Sequence, residues 1–106
     1  MYTELTIKDK VYKLKLTTKN IIGLEKNIKC NPLSIFGNGE EVPSVTTMVN
    51  ILWFSLLQYH HNIGLNEAAE LFDDYLEEHT MTDFLAVIID IYKVSGIISK
   101  GESSKN

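Results

Sequence analysis

The side chains that could carry chemistry are concentrated in one acidic segment, NEAAELFDDYLEEHTMTDF, which runs from Asn66 to Phe84. Its acids recur at helical spacing on the side that the apolar residues leave free. They are Glu67, Glu70, Asp73, Asp74, Glu77 and Glu78. Some of these carboxylates could share a divalent ion, but the sequence contains no second acidic helix and no Glu-x-x-His pair to complete such a site. We interpret them as a solvent-facing surface and expect no metal and no cofactor.

Three histidines and one cysteine are the other candidates for a reactive site. His60 and His61 are adjacent, so on a helix they diverge by about 100° and rarely bind the same ion. No HEXXH spacing connects them with His79. We interpret the pair as a helix end, where a histidine cation would meet the helix dipole favourably. Cys30 has only Lys29 as a local activator. The sequence therefore predicts a protein that is not an enzyme.

Length, charge and hydropathy exclude several classes of protein. A chain of 106 residues predicts one domain. The net charge of -4 disfavours nucleic-acid binding, which needs clustered Lys and Arg. The most apolar run, Ile51 to Leu57, is about a third of a membrane span. The single cysteine suits a reducing compartment, and MYTELTIKDK lacks a signal-peptide core. We expect a cytoplasmic protein without a membrane partner.

Residues 3–16, TELTIKDKVYKLKL, alternate between apolar and polar side chains, which predicts a β-hairpin. Leu5 and Ile7 would share one face with residues of the second strand. Those residues are Tyr12, Leu14 and Leu16. The turn could be centred on Lys8-Asp9 or on Asp9-Lys10, and both alternatives keep the same apolar face.

Four helices are predicted after the hairpin, over residues 18–29, 44–61, 66–79 and 81–95. Their expected N-caps are Thr17 or Thr18, Ser44, Asn66, and Thr80 in a capping box with Asp83. The first helix would bury Ile21, Leu24, Ile28 and, as a further candidate, Ile22. The segment NPLSIF predicts a fifth, short helical turn, and Gly96 is placed to end the last helix.

The fold class expected from these elements is α+β, mainly α, with an N-terminal hairpin and a small bundle of four to five helices. Residues 1–98 would form the domain, FGNGEEVP at 36–43 a loop, and 99–106 a disordered polar tail. A helix-turn-helix interpretation centred on Gly64 is disfavoured, because the acids of the helix from Asn66 would repel DNA phosphates.

The helix over 44–61 carries more apolar area than a domain of this size easily covers. Nine of the thirteen residues from Val45 to Leu57 are apolar, and they surround nearly the whole helix. The neighbouring elements could cover this area, or part of it could remain available for a client or for self-association. Our candidates for partner binding are Trp53, Phe54, Leu57 and Tyr59.

The order of these segments over residues 3–98 resembles the tail assembly chaperones of long-tailed bacteriophages and prophages of Gram-positive bacteria. The hairpin is followed by NIIGLEKNI, NPLSIF, LLQYHHNI, AAELFDDYLEEH and MTDFLAVIIDIYKVSGII. The combination of NPLSIF, LFDDY at 71–75 and YKVSG at 92–96 carries most of the resemblance. The turn Lys8-Asp9-Lys10 departs from the Asn-Gly that such hairpins often have, which leaves the turn type open.

The resemblance implies a binding protein without catalytic residues. Such chaperones coat the tape measure protein, keep it soluble before the tail tube polymerises, recruit tube subunits, and are absent from the mature virion. It also implies a longer, frameshifted product that contacts the tail tube protein. Codons for Ser104-Lys105-Asn106 can contain an A-AAA-AAY heptamer on which a ribosome slips back one base. We expect this heptamer in the gene, with an overlapping frame beyond it.

The alternative is a small acidic adaptor or regulatory protein that binds a different host or phage protein. A third possibility, a metal-dependent enzyme that uses the histidines or the acidic helix, would require a stoichiometric metal in the purified protein.

Overall fold

The computed structural model of the chain describes residues 1–36 and 43–99. Its elements are strands β1 (Thr3–Ile7) and β2 (Lys10–Leu14), helices α1 (Thr18–Ile28), α2 (Val45–Leu56), α3 (Leu65–Leu76) and α4 (Met81–Val94), and a 3₁₀ turn, Pro32–Phe36. The α+β, mainly α fold class is therefore confirmed, as is the short helical turn at NPLSIF. Most of the predicted loop at 36–43 and of the predicted disordered tail at 99–106 lies outside the described residues.

The hairpin has a two-residue turn at Lys8-Asp9, which decides between the two predicted alternatives. Strands β1 and β2 pair in antiparallel register from Thr3 opposite Leu14 to Ile7 opposite Lys10. Lys8 and Asp9 have φ of 49° and 68°, as a type I′ turn requires. The predicted apolar face is confirmed. Its members Ile7, Tyr12, Leu14 and Leu16 are buried.

The hairpin packs on its own chain, through hydrogen bonds from the second strand and the residues that follow it. The N–H of Lys15 donates to the C=O of Ser55 at 2.9 Å. The N–H of Leu16 donates to Ser95 Oγ at 2.8 Å. These two bonds connect the end of the hairpin to α2 and to the end of α4.

Helix starts follow the predicted caps, with one exception. The side chains of Thr17, Ser44 and Thr80 each accept a hydrogen bond from the backbone N–H three residues later. Asn66 was predicted to cap α3, and that prediction is wrong. Gly64 is the N-cap, and its N–H donates to Glu67 Oε1 at 2.8 Å. The carboxylate of Glu67, the third residue of α3, thus accepts the backbone N–H of the N-cap residue. Asn66 lies in the first turn.

Helices α2 and α3 end earlier than predicted, at Leu56 and Leu76 instead of residues 61 and 79. The C=O of Leu56 accepts the N–H groups of both Tyr59 and His60, at 3.1 and 2.8 Å. This shared acceptor tightens the last turn and releases the chain into a loop. The end of α4 agrees with the prediction to within one residue, and Gly96 has φ of 79°.

Helix α2 lies at the centre of the core, against α1, α3 and the hairpin. Met48, Ile51, Leu52 and Leu56 are fully buried. Helix α1 packs closely on α2 at Gly23, where a Cβ atom would lie only 2.7 Å from the ring of Phe54. One turn away, Asn27 Nδ2 donates to Oδ1 of the buried Asn50 at 2.8 Å. These contacts fix where the two helices meet.

The inward face of α1 was predicted correctly for Leu24, which is fully buried, whereas Ile21 and Ile28 are partly buried against the core. Ile22, the further candidate, is 49% exposed, so its inward placement is wrong. Ile22 directly precedes Gly23, the residue of closest approach to α2. A helix turns about 100° per residue, which carries Ile22 away from that contact.

The 3₁₀ turn is attached to α4 through a buried tyrosine. Tyr92 Oη donates to the C=O of Pro32 at 2.9 Å, and Phe36 lies edge-to-face on the Tyr92 ring, with centroids 6.0 Å apart. Burial, with a smaller effect of the nearby Cys30 thiolate, raises the pKa of Tyr92, so the phenol remains a hydrogen-bond donor. The 3₁₀ turn after α1 is thereby fixed to the last helix.

We expect Tyr92→Phe to lower the free energy of unfolding by about 1–2 kcal/mol, because it leaves the carbonyl of Pro32 without its buried donor. Denaturant titration followed by far-UV circular dichroism measures this change. Tyr2→Phe is the matched control, since Tyr2 is 39% exposed, and it should change stability by less than about 0.5 kcal/mol. Equal effects of the two variants would contradict a structural role for the Tyr92 hydroxyl.

Candidate functional site

The four residues predicted to bind a partner lie together at the end of α2 and in the turn that follows. Trp53, Phe54, Leu57 and Tyr59 are all half-buried. Trp53 Nε1 donates to the C=O of Ile63 at 2.9 Å, and the Trp53 and Phe54 rings lie 4.7 Å apart. Because this indole hydrogen bond and the Phe54–Gly23 contact fix both rings, Trp53 and Phe54 form a rigid, partly open apolar surface.

Residues 57–63, which we call the 57–63 segment, separate two clefts on the surface. The larger cleft has a volume of about 600 Å³ and includes Tyr59 in its lining. The smaller has a volume of about 370 Å³ and is lined by Leu57 and Gln58 with residues at the start of α1. His61 borders both clefts. The two predicted residues beyond α2, Leu57 and Tyr59, are therefore each placed at the wall of a concave surface.

Opposite walls of the larger cleft differ in character. The hairpin and the 57–63 segment contribute an aromatic wall, which includes Tyr12, Tyr59 and His60, with Lys10 at its side. Helix α3 contributes the other wall. Its members are Glu67, Glu70, Leu71 and Asp74. The arrangement suits polar and aromatic contacts with a polypeptide, and it carries negative charge along one side only.

Lysines of the hairpin already contact the aromatic residues and the end of α3. The Nζ of Lys13 lies 4.9 Å from the ring centre of Tyr2 and 5.9 Å from that of Tyr59. Lys8 Nζ lies 2.6 Å from Glu77 Oε1, and this hydrogen bond and charge raise the pKa of Lys8. The pair is exposed, so its contribution to stability is small. The acidic surface of α3 is thus partly balanced by the basic hairpin.

No group of three or more His, Cys, Asp and Glu side chains in residues 1–36 and 43–99 is placed to hold a metal ion. Glu67 instead caps α3, and Glu77 pairs with Lys8. Cys30 is exposed. Over the same described ranges, no helix combines the length and the apolar character that crossing a membrane requires.

His60 does not have the role that the sequence suggested. It was interpreted as a cation at a helix end, but α2 ends at Leu56, and His60 Nε2 accepts the N–H of Lys13 at 3.2 Å. An acceptor nitrogen carries no proton. Burial, followed by the charges of Lys10, Lys13 and His61, lowers the pKa of His60. The neutral imidazole connects the 57–63 segment to the outer edge of β2.

Several large apolar side chains are exposed away from the predicted surface, and sequence reasoning did not select them. They are Val11, Ile22, Leu33, Phe36, Val45, Leu65 and Ile89. The alternation of the hairpin could have identified Val11, which falls on the outward side next to the buried Tyr12. The exposure of the other six depends on where helices approach each other, and the periodicity of the sequence contains no signal for that.

We expect the protein to lose stability as the pH falls below about 6.5, the ordinary value for histidine. Because the pKa of His60 is lowered in the folded protein, the unfolded chain takes up the His60 proton at a higher pH than the folded chain does. The free energy of unfolding therefore rises with pH between the folded pKa and 6.5. Urea titrations at pH 5.5 and 7.5 measure the difference. His60→Gln should reduce it, whereas His61→Gln, at an exposed side chain, should retain it. An unchanged difference in His60→Gln would refute the assignment.

No protein-family model, no curated protein and no solved structure matches the chain. The functional proposal therefore depends on the residues, on their geometry and on the resemblance described above.

Proposed function

We propose that the chain is a phage tail assembly chaperone that acts by reversible binding. It binds the tape measure protein, keeps that protein soluble in the cytoplasm of the host bacterium, helps to recruit tail tube subunits, and leaves before the virion is complete. A frameshifted longer product would contact the tail tube protein. The observation that supports this function best is the partly open apolar surface at the end of α2, formed by Trp53, Phe54, Leu57 and Tyr59.

The physical basis of client binding is a small, preorganised anchor. Trp53 and Phe54 are fixed by their contacts with Ile63 and Gly23, so little side-chain entropy is lost when a partner covers their exposed parts. Large aromatic anchors of this kind contribute most of the free energy of many interfaces. Leu57 and Tyr59 extend the apolar surface into the two clefts.

The acidic surface provides the second property that a chaperone needs. A net charge of -4 opposes non-specific aggregation, and the chain gives that charge to the complex that it forms. The exposed side chains of α3 contribute much of the negative charge, next to the anchor. A tape measure segment bound at the end of α2 would therefore lie next to the charged helix α3.

The acidic wall of the larger cleft also favours the second candidate, a small acidic adaptor with a basic partner. Glu67, Glu70 and Asp74 line one side of that cleft. A polypeptide that presents Lys or Arg would be complementary to this wall. The identity of the partner distinguishes the two functions, because neither function involves catalysis.

Co-expression of the chain with the tape measure protein of the same phage, a long coiled-coil protein, tests the chaperone function. The chaperone should increase the soluble fraction of that protein and co-purify with it. Leu57→Ser should weaken the complex about tenfold, since it removes a half-buried side chain from the apolar surface that extends the anchor. Val45→Ser is the matched control, because Val45 is an exposed apolar residue at the opposite end of α2.

Three results would count against this proposal. The first is a client that stays insoluble in the presence of the chain. The second is an equal loss of binding in Leu57→Ser and Val45→Ser, which would exclude the anchor at the end of α2. The third is capture of an unrelated basic protein in place of the coiled-coil product, which would support the adaptor function.

A further inference from the structure

The two outer edges of the hairpin differ in the hydrogen bonds that they make with the rest of the chain. Because Ile7 and Lys10 close the two-residue turn, backbone groups alternate along each strand between the partner strand and the outer edge. On the β2 side, the outward N–H groups of Lys13 and Lys15 donate to His60 and to Ser55. The 57–63 segment and α2 thus cover this edge.

On the β1 side, the same alternation directs the N–H and C=O groups of Glu4 and Thr6 outward. Within residues 1–36 and 43–99, no hydrogen bond uses these groups. Helices α3 and α4 approach β1, and a cleft of about 290 Å³ beside the start of this edge is lined by Met1, Thr3, Asp90, Lys93 and Val94. The outward backbone groups of β1 are therefore unused among the described residues and can pair with another strand.

The side chains of β1 also differ from those of a protected edge. Leu5, in the middle of its apolar face, is only half-buried, whereas Tyr12 opposite it on β2 is buried. Edge strands are usually blocked by charged side chains, above all lysine, by proline or by a bulge. The sequence TELTI has one charge, Glu4, but no proline or lysine, and its five residues pair with β2 without a bulge.

We infer that β1 pairs antiparallel with β1 of a second copy of the chain, on a two-fold axis at Leu5. The two hairpins then form one four-stranded sheet. Glu4 of each copy lies opposite Thr6 of the other, and both residues present outward backbone groups, so four new main-chain hydrogen bonds form. The two Leu5 side chains meet on the apolar face, where each covers the exposed part of the other.

The other two-fold registers are less favourable. An axis at Glu4 places two carboxylates directly opposite each other, which is destabilising in a sheet. An axis at Thr6 requires Lys8 to pair with Glu4, but Lys8 has φ of 49° and lies in the turn. Registers shifted by a single residue would pair outward with inward backbone groups. Of the axes at Glu4, Leu5 and Thr6, the axis at Leu5 alone uses extended residues and leaves no like charges opposed.

This interface is independent of the proposed function and distinct from its surface. The 57–63 segment lies at the edge of β2, on the other side of the hairpin, so dimerisation leaves Leu57 and Tyr59 accessible. Four hydrogen bonds and one leucine pair form a small interface. The dimer is therefore expected to depend on protein concentration.

Sedimentation equilibrium of the full chain tests the inference. The average mass should rise with concentration from the chain mass of 12.1 kDa towards twice that value. Thr6→Pro removes an outward N–H that bonds nothing within residues 1–36 and 43–99, and it should abolish this rise. Val11→Pro is the matched control, because Val11 lies directly opposite Thr6 and its N–H points to the other edge. It should retain the dimer.

Cross-linking tests the register and does not depend on the stability of the proline variants. In Leu5→Cys/Cys30→Ser, the two introduced thiols face each other at a Cα separation of about 4.5 Å, which a disulfide can span. Mild oxidation should therefore yield a covalent dimer. In Thr3→Cys/Cys30→Ser, the thiols lie ~14 Å apart along the strands and should remain reduced.

A monomer at every concentration overturns the inference, as does a dimer that persists in Thr6→Pro. Equal cross-linking at positions 3 and 5 excludes the axis at Leu5. Loss of the dimer in Thr6→Pro together with cross-linking only at Leu5 supports the inference, whether or not the chain binds a tape measure protein.

Discussion

Burial of one helix determines most of this structure. Nine of the thirteen side chains from Val45 to Leu57 are apolar, so α2 has almost no face that favours water. A helix of this kind is stable only when it is covered on several sides. The hairpin, α1, α3 and α4 provide that cover with few residues each. The partly exposed apolar side chains of α2 lie where these neighbouring elements no longer pack against it.

The end of α2 shows how this constraint leads to the apolar surface that we propose as a binding site. Leu56 is completely buried, and the next residues leave the helix because its carbonyl is shared between two N–H groups. The chain then turns back, and the carbonyl of Ile63 accepts the indole N–H of Trp53. Leu57 and Tyr59 therefore lie half-buried in the turn after α2, each at the wall of a cleft.

Local signals made much of the fold predictable. Alternation identified the hairpin and its buried face, and Thr17, Ser44 and Thr80 marked three helix starts by side-chain chemistry that operates within four residues. The failures involve groups distant in sequence or an unexpected local cap. The sequence predicts Asn66 as the N-cap of α3, but the N-cap is Gly64, whose N–H donates to Glu67 Oε1. The sequence also predicts His60 as a cation, but its Nε2 accepts the N–H of Lys13. The half-buried state of Trp53 and Leu57 depends on packing that the sequence pattern does not encode.

The amide pair between Asn27 and Asn50 has a consequence for how uniquely the bundle is assembled. Apolar surfaces tolerate sliding, because one leucine fills a gap nearly as well as another. If α1 moved along α2 by one turn, about 5.4 Å, the amide of Asn50 would lose this partner inside the protein. Such a shift would also displace Gly23 from the ring of Phe54. The polar pair thus selects a single helix alignment from several of similar apolar contact, and it contributes to the accuracy of the fold more than to its strength.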